Sequence, residues 1–271
     1  MSDAEKRAQF EALDALAHSG KGAVVTGGGR GIGAAVAEAL SASGVPVVVT
    51  ARTAAEIDAV ADGLRARGRA AFAVPCDVTD PDSVAAMAAQ VQELLGSVDI
   101  LVNNAGVARS APFLKVALEQ WEDVHRVNAT GTLLVTQAFL PGMLERGWGR
   151  IVNVASVASV TGARYITAYA ASKHALLGMT RCLAEELGGT GVTVNSVCPS
   201  YVDTPMTDEN IERIAAKTGR DADAVRSGLE EMQPGGRLIS PREVAHAVMT
   251  FMPEEAAALQ GSELVVRGGT T

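Results

Sequence analysis

The chain has 271 residues, enough for one large domain or two small ones, and a globular composition with ample apolar material for a core: 48% hydrophobic, 20% charged, 28 glycines. A net charge of −8 argues against nucleic acid as a main partner, because phosphate binding wants a basic surface. Three widely spaced cysteines (Cys76, Cys182, Cys198) and four scattered histidines (His18, His125, His174, His246) form neither a disulfide framework nor a metal pattern; the cysteines sit in apolar runs and are expected as buried free thiols, in keeping with a reducing cytoplasm.

The first stretch, "MSDAEKRAQFEALDALAHSG", is charged and has no apolar h-region, so it does not read as a signal peptide. Phe10, Leu13, Leu16 and Ala17 recur at helical spacing before Gly20, which predicts a short helical extension over 1–20. No run of about 18 apolar residues occurs, so no membrane span and a cytoplasmic location are expected.

"AVVTG" then reads as a buried strand and "GIGAAVAEALSASG" as a helix, with "TGGGRGIG" (26–33) turning between them. Glycines there permit positive φ and close approach of a pyrophosphate, while the helix N-terminus offers free amides and a favourable dipole. The spacing Gly27-x3-Gly31-x-Gly33 is not the G-x-G-x-x-G dinucleotide fingerprint, and the phosphate-loop lysine is absent. The strand–turn–helix context nonetheless marks a nucleotide site at Gly27, Arg30, Gly31, Ile32 and Gly33.

The second strand, "VPVVVTA", ends in Ala51 and Arg52. An acid at that point would bind the ribose 2′-hydroxyl of NAD. None is present, whereas Arg52, helped by Arg30, can bind a 2′-phosphate. NADP(H) is therefore favoured, with NAD(H) as the alternative.

Helix "AAEIDAVADGLRARG", strand "AAFAVPCDV", helix "PDSVAAMAAQVQELLG" and strand "VDILVNNAG" follow. A long helical region is predicted over 118–145, then strand "RIVNVAS", a helix containing "YAASKHALLGMT", strand "VTVNSVCP", helix "SPREVAHAVMTFM" and strand "SELVV". Near-continuous Val and Ile strands alternating with helices predict one α/β domain over 21–271, a doubly wound parallel sheet covered on both faces. The polar stretch 205–237 interrupts this rhythm as two short helices, placed where such folds carry substrate contacts.

Tyr169 and Lys173 stand four residues apart at the start of their helix, on one face. A free phenol has a pKa of roughly 10, and a nearby ammonium lowers it. From the residues alone the pair reads either as a surface pair on an amphipathic helix or as a proton-transfer unit. Tyr165 has no lysine four residues on and is assigned to the pocket wall or to packing. Trp121 and Trp148 read as packing residues, His174 as a bystander and Asp203 as a loop carboxylate.

"TGGGRGIG", "NNAG" (103–106), Asn128, Ser156 and "YAASK" (169–173) occur together in an order and spacing that resemble the short-chain dehydrogenase/reductases of the roughly 250-residue type, over about 20–271. The resemblance implies a Rossmann-like sheet of about seven strands in the order 3-2-1-4-5-6-7 and NAD(P)(H) chemistry. It implies a tetrad of Asn128, Ser156, Tyr169 and Lys173, in which Asn128 holds a water linking Lys173 to solvent. By position it assigns Asp77, with Val78 beside it, to the adenine. Asn103, Asn104, Ala105 and Gly106 fall beneath its ribose, and Pro199, Val202 and Thr204 beside the nicotinamide. "Pro199-Ser200" departs from the family's usual Pro-Gly, which puts local backbone geometry in question.

In this reading Tyr169 is general acid in reduction and general base in oxidation, Ser156 bonds the substrate oxygen, and Lys173 also binds the nicotinamide ribose. "GMLERGWGRIVNVAS" and "ASKHALLGMT" look most like 3-oxoacyl and polyketide ketoreductases and 3-hydroxyacyl dehydrogenases. Gly147 and Thr190 stand where some of those reductases carry basic residues for acyl carrier protein, which points towards CoA thioesters or free ketones. Arg213, Lys217, Arg220 and Arg226 could meet an anionic handle or simply face solvent. An NAD-dependent dehydrogenase of a small or cyclic secondary alcohol, and a catalytically idle nucleotide-binding sensor, are the alternatives. Apolar faces carrying Val124, Val127, Leu133, Leu134, Phe139 and Leu140 on one helix and Leu176, Leu177, Met179, Leu183 and Leu187 on another predict a homo-oligomer, a tetramer by resemblance.

Overall fold

The computed structural model describes residues 20–269, and the helix expected at the N-terminus lies outside them. Seven strands form one sheet: β1 (Ala23–Thr26), β2 (Val47–Thr50), β3 (Ala71–Ala73), β4 (Ile100–Asn103), β5 (Gly149–Val154), β6 (Val192–Pro199) and β7 (Glu263–Val266). Every neighbouring pair is parallel, in the order β3-β2-β1-β4-β5-β6-β7. This is the doubly wound architecture and the strand order expected.

Period-two alternation sorts each strand between two cores. Ala23, Val25, Val47, Val49, Ile100 and Val102 face one side, where they pack with α1 (Gly31–Ala42), α2 (Ala54–Arg65) and α9 (Pro241–Met249). Val24, Val48, Leu101 and Ile151 face the other, against α3 (Pro81–Leu95), α5 (Gly131–Arg146) and the end of α6 (Thr167–Glu186). Burying both faces explains why the strands read as unbroken Val and Ile runs and not as alternating patterns.

Order reverses between β1 and β4, so the chain leaves these adjacent strands in opposite directions and opens a crevice at their C-terminal ends. The long helix expected over 118–145 is interrupted there. α4 (Leu118–His125) passes into a π-helical turn, Arg126–Thr130, before α5 begins. Such wider turns shift the face on which following residues project. Gly131 then lets α5 approach Val78, since a Cβ would lie 2.7 Å from Val78 Cγ2.

The 205–237 insertion does form two helices, α7 (Pro205–Thr218) and α8 (Ala222–Glu231). Its base is closed by a parallel bridge between Val202 and Ile239, with Ile239 N donating to Tyr201 O at 2.9 Å and Asp203 N to Ile239 O at 2.8 Å. Its exit is pinned by Arg237, which bonds both carboxylate oxygens of Glu243 at 2.8 and 2.7 Å.

Several expectations need correction. Cys76 and Cys198 are buried, but Cys182 faces solvent, because its position on α6 lies opposite the core stripe. Tyr165 is 57% exposed and does not line the pocket; its backbone is left-handed (φ 70°), and its carbonyl accepts from Ala111 N at 2.8 Å. Much of the supposed oligomer surface is consumed within the chain: Val124, Phe139, Leu176, Leu177 and Leu187 are core residues. Leu118, Leu133 and Leu144 stay exposed on α4 and α5.

Candidate active site

The glycine turn is positioned by hydrogen bonds to the exit of β4. Thr26 Oγ1 accepts from Asn104 N and Ala105 N, each at 3.0 Å, and the Asn104 carboxamide donates to the carbonyls of Thr26 and Gly27, each at 3.0 Å. Gly27 has φ +62°, and a Cβ there would meet Asn104 Nδ2 at 2.9 Å. Gly33 lies against the Gly27 carbonyl with no room for a methyl. Both glycines are therefore required by this fit. Asn104, assigned to the cofactor by resemblance, spends its amide bracing the turn.

A cavity of about 220 Å³ opens over this turn, lined by the loop residues from Gly27 to Ile32 and by segments 51–53, 76–78 and 104–107. Arg52 lies in its wall, near enough to Asp77 to help lower that carboxyl below its ordinary range. The larger cause is Thr79, whose N–H (2.9 Å) and hydroxyl (2.8 Å) both donate to Asp77 Oδ1. Glycine amides, a helix N-terminus and an arginine around one cavity fit a nucleotide with phosphate groups.

Two acids complicate the expected anion site. Arg30 Nη1 lies 3.0 Å from Glu209 on α7 and 3.9 Å from Glu56. Glu56 also lines the cavity. No carboxylate was expected there because none ends β2; Glu56 arrives from the first turn of α2.

A second cavity, of about 360 Å³, adjoins the first, and Ile32, Asn104, Gly106, Val107, Thr204 and Met206 line both. Its walls carry Ser156, Tyr169 and Lys173, together with Pro199 and Val202. Thr204 caps α7, its hydroxyl accepting from Thr207 N at 3.4 Å. Ser200 has no left-handed backbone, and its N–H bonds Val266 O at 2.8 Å, so the usual glycine is not required here.

Ser156 sits where β5 turns into a short 3-10 helix, its hydroxyl accepting from Ala158 N at 3.1 Å. Tyr169 and Lys173 project from the first turns of α6. Lys173 is 5% exposed, and its ammonium donates to Val154 O at 2.8 Å. Burial pulls its pKa down to about 8. Burial likewise raises the Tyr169 phenol above its ordinary value, with Ser156's hydroxyl pulling the other way. This corrects the simple expectation that the ammonium sets a low phenol pKa. Lys173 Nζ lies 5.9 Å from the Tyr169 ring centre, and desolvation is the largest cause of the raised phenol pKa.

Asn128, in the π-helical turn, is fully buried. Its Oδ1 accepts from Val107 N at 2.8 Å, and its Nδ2 donates to Val107 O at 3.0 Å and Ser172 Oγ at 2.9 Å. Ser172 in turn donates to Tyr169 O at 2.7 Å. The Asn128 side chain thus ties the β4 exit to the helix bearing Tyr169 and Lys173.

The insertion's cations are engaged elsewhere. Arg226 pairs with Asp203 at 3.1 Å and Asp208 at 2.6 Å, and Arg213 donates to Asn210 Oδ1 at 2.8 Å. None of Arg213, Lys217, Arg220 and Arg226 lines the second cavity. His174 is exposed, and among the described residues no cluster of His, Cys, Asp or Glu could hold a metal. Nor is any described helix long and apolar enough to cross a membrane. Thr26 and Glu56 were missed by the sequence reading. A threonine ending the first strand was a visible signal for Thr26.

A family model described as short chain dehydrogenase matches residues 21–215, from the glycine turn through the tyrosine–lysine pair and into α7. The chain belongs to this family. It is 38% identical to 3-oxoacyl-[acyl-carrier-protein] reductase FabG of Aquifex aeolicus, over 92% of this chain and 97% of that one. It is 41% identical to the short-chain reductase protein NovJ of Streptomyces niveus, over 91% and 92%. A crystal structure of a variant actinorhodin polyketide ketoreductase with NADPH superposes with a TM-score of 0.89 at 38% identity, covering 92% of this chain and 96% of that one. Family membership makes the protein an oxidoreductase of the ketone/alcohol pair that uses a nicotinamide cofactor.

Proposed function

We propose that the protein is an NADP(H)-dependent ketoreductase of 3-oxoacyl thioesters or related β-keto compounds, with CoA thioesters or free small ketones preferred over a carrier protein. The observation that carries this reading is the junction of the two cavities. A phosphate-binding turn with Arg52 opens directly into a largely apolar chamber walled by Ser156, Tyr169 and Lys173. The relatives named 3-oxoacyl reductase and polyketide ketoreductase support the same substrate class.

Bound nicotinamide supplies the hydride. The chain's part is the proton and the developing charge. Tyr169, a phenol protonated at neutral pH, donates to the substrate oxygen, while Ser156 shares a hydrogen bond with that oxygen. Lys173, charged below about pH 8, supports the phenol as it gives up its proton.

Tyr169→Phe should lower kcat by at least about 100-fold while NADPH binding, followed by fluorescence, stays nearly intact. A variant keeping more than about a tenth of wild-type kcat would contradict the assignment. For the cofactor, Ala51→Asp combined with Arg52→Ala should move preference from NADPH to NADH. The reading fails if the wild-type enzyme already uses NADH better. We also place the protein in the cytoplasm as a homotetramer joined through α4, α5 and α6, where Leu118, Leu133 and Leu144 remain exposed. Light scattering at micromolar concentration should give about four chain masses, and a mass near one chain refutes the assembly.

A further inference from the structure

Two guanidinium groups and an ammonium gather at one edge of the substrate cavity without a carboxylate to balance them. Arg213 on α7 and Arg109 on the segment leaving β4 each place Nη1 against the same atom, Ala108 O, at 3.4 and 3.1 Å. Lys217 lies one turn further along the same face of α7 and sets its Nζ 3.4 Å from Ser110 O. Among the described residues none of the three stands in an ion pair. This happens in a chain whose acids outnumber its Lys and Arg by 31 to 23. Arg226 on α8 shows the contrast, because Asp203 and Asp208 both neutralise it.

Their contacts place the three at the rim. Ala108 and Asn210 line the cavity that holds Ser156, Tyr169 and Lys173. Arg213 Nη1 touches both of them, Ala108 O as above and Asn210 Oδ1 at 2.8 Å, so its guanidinium stands directly behind the lining. Arg109 and Lys217 are exposed beside it. The cavity measures about 360 Å³, near the lower end for small-molecule sites, so a substrate larger than a short acyl chain has to continue past its edge. Like charges drawn to one neutral oxygen repel each other. A phosphate relieves that repulsion and accepts hydrogen bonds from guanidinium and ammonium alike.

We propose that Arg109, Arg213 and Lys217 form a binding site for the phosphate groups of a CoA thioester whose acyl end reaches Tyr169. The inference rests on the reading of the protein as a 3-oxoacyl thioester reductase and deepens it by placing the substrate's charged handle. Three cations at separate points suit a handle with several negative charges better than a single carboxylate. The binding energy is spent far from the reacting carbon, so the site acts on substrate affinity and leaves the chemical step alone.

The test measures KM and kcat at saturating NADPH for acetoacetyl-CoA and for the acetoacetyl thioester of N-acetylcysteamine, which has the same reacting end and no phosphate. Wild type should bind the CoA thioester more tightly, and high salt should weaken that preference. Arg213→Gln combined with Lys217→Gln should raise KM for acetoacetyl-CoA by about tenfold, leave its kcat in place and leave the N-acetylcysteamine thioester unaffected. Equal KM values for the two thioesters in wild type overturn the site. So do equal losses on both in the variant, which mark a structural role in seating α7, or no loss on either; ketone reduction stands in each case. Acetoacetyl carrier protein is run alongside, and a KM below that of acetoacetyl-CoA overturns CoA as the occupant. A wild-type enzyme that reduces neither thioester nor any other ketone overturns both readings together. Lys217→Gln with Arg109→Gln, both on exposed side chains, serves the same comparison if the first variant does not fold.

Discussion

An ammonium kept out of water at the end of a parallel sheet is the constraint on which this site depends. Lys173 reaches from α6 to the last carbonyl of β5, Val154 O, and that bond joins the helix to the sheet at the point of catalysis. Holding the charge there has a thermodynamic cost. The folded pKa is about 8 against an ordinary 10.5. Between those values the unfolded chain binds more protons than the folded one, so this group's contribution to stability improves as pH rises through that window. At neutral pH the residue is a burden on the fold, retained beside a phenol whose own pKa is raised by the same desolvation.

Around this pair the structure spends buried polar side chains as braces. Asn103 donates to Asn153 Oδ1 at 2.9 Å and to Thr136 Oγ1 at 3.0 Å. Asn153 donates to Thr180 Oγ1 at 2.9 Å, and Thr180 and Ser196 share a bond at 3.0 Å. This chain crosses β4, β5 and β6 and fixes α5 and α6 to them. Asn128 does the same for the β4 exit, and Thr26 with Asn104 for the glycine turn. Buried polar networks of this kind help to specify one arrangement of the elements they join. The insertion is held differently. Its internal links are partly exposed ion pairs centred on Arg226, which contribute little individually.

Much of this was legible in the sequence because the relevant patterns are local. Val and Ile runs announced the seven strands, the glycine turn announced the nucleotide site, and the four-residue spacing of Tyr169 and Lys173 survives in any helix. What was not legible depends on contacts across the chain. The π-helical turn at Arg126–Thr130 leaves no mark in hydrophobic spacing, and it decides where Asn128 points. Glu56 and Glu209 come to Arg30 from different helices, so the strand-end rule for cofactor choice overlooked both. Tyr165 was misplaced because its left-handed backbone turns the chain outward, and Cys182 because an apolar neighbourhood in sequence does not say which face of a helix is covered. Desolvation is likewise a three-dimensional property: residue types alone suggested an attraction between Lys173 and Tyr169 but not the burial that raises the phenol pKa.

The account rests on burial, more than on pairing, as the force that sets the protonation of Lys173. Nuclear magnetic resonance titration of isotopically labelled lysine methylenes, with Lys173→Met to assign the signal, reads that quantity directly. The structure predicts a Lys173 pKa near 8 in the protein without added nucleotide. A value of about 10 or above, within the ordinary range for a solvated lysine, would contradict it.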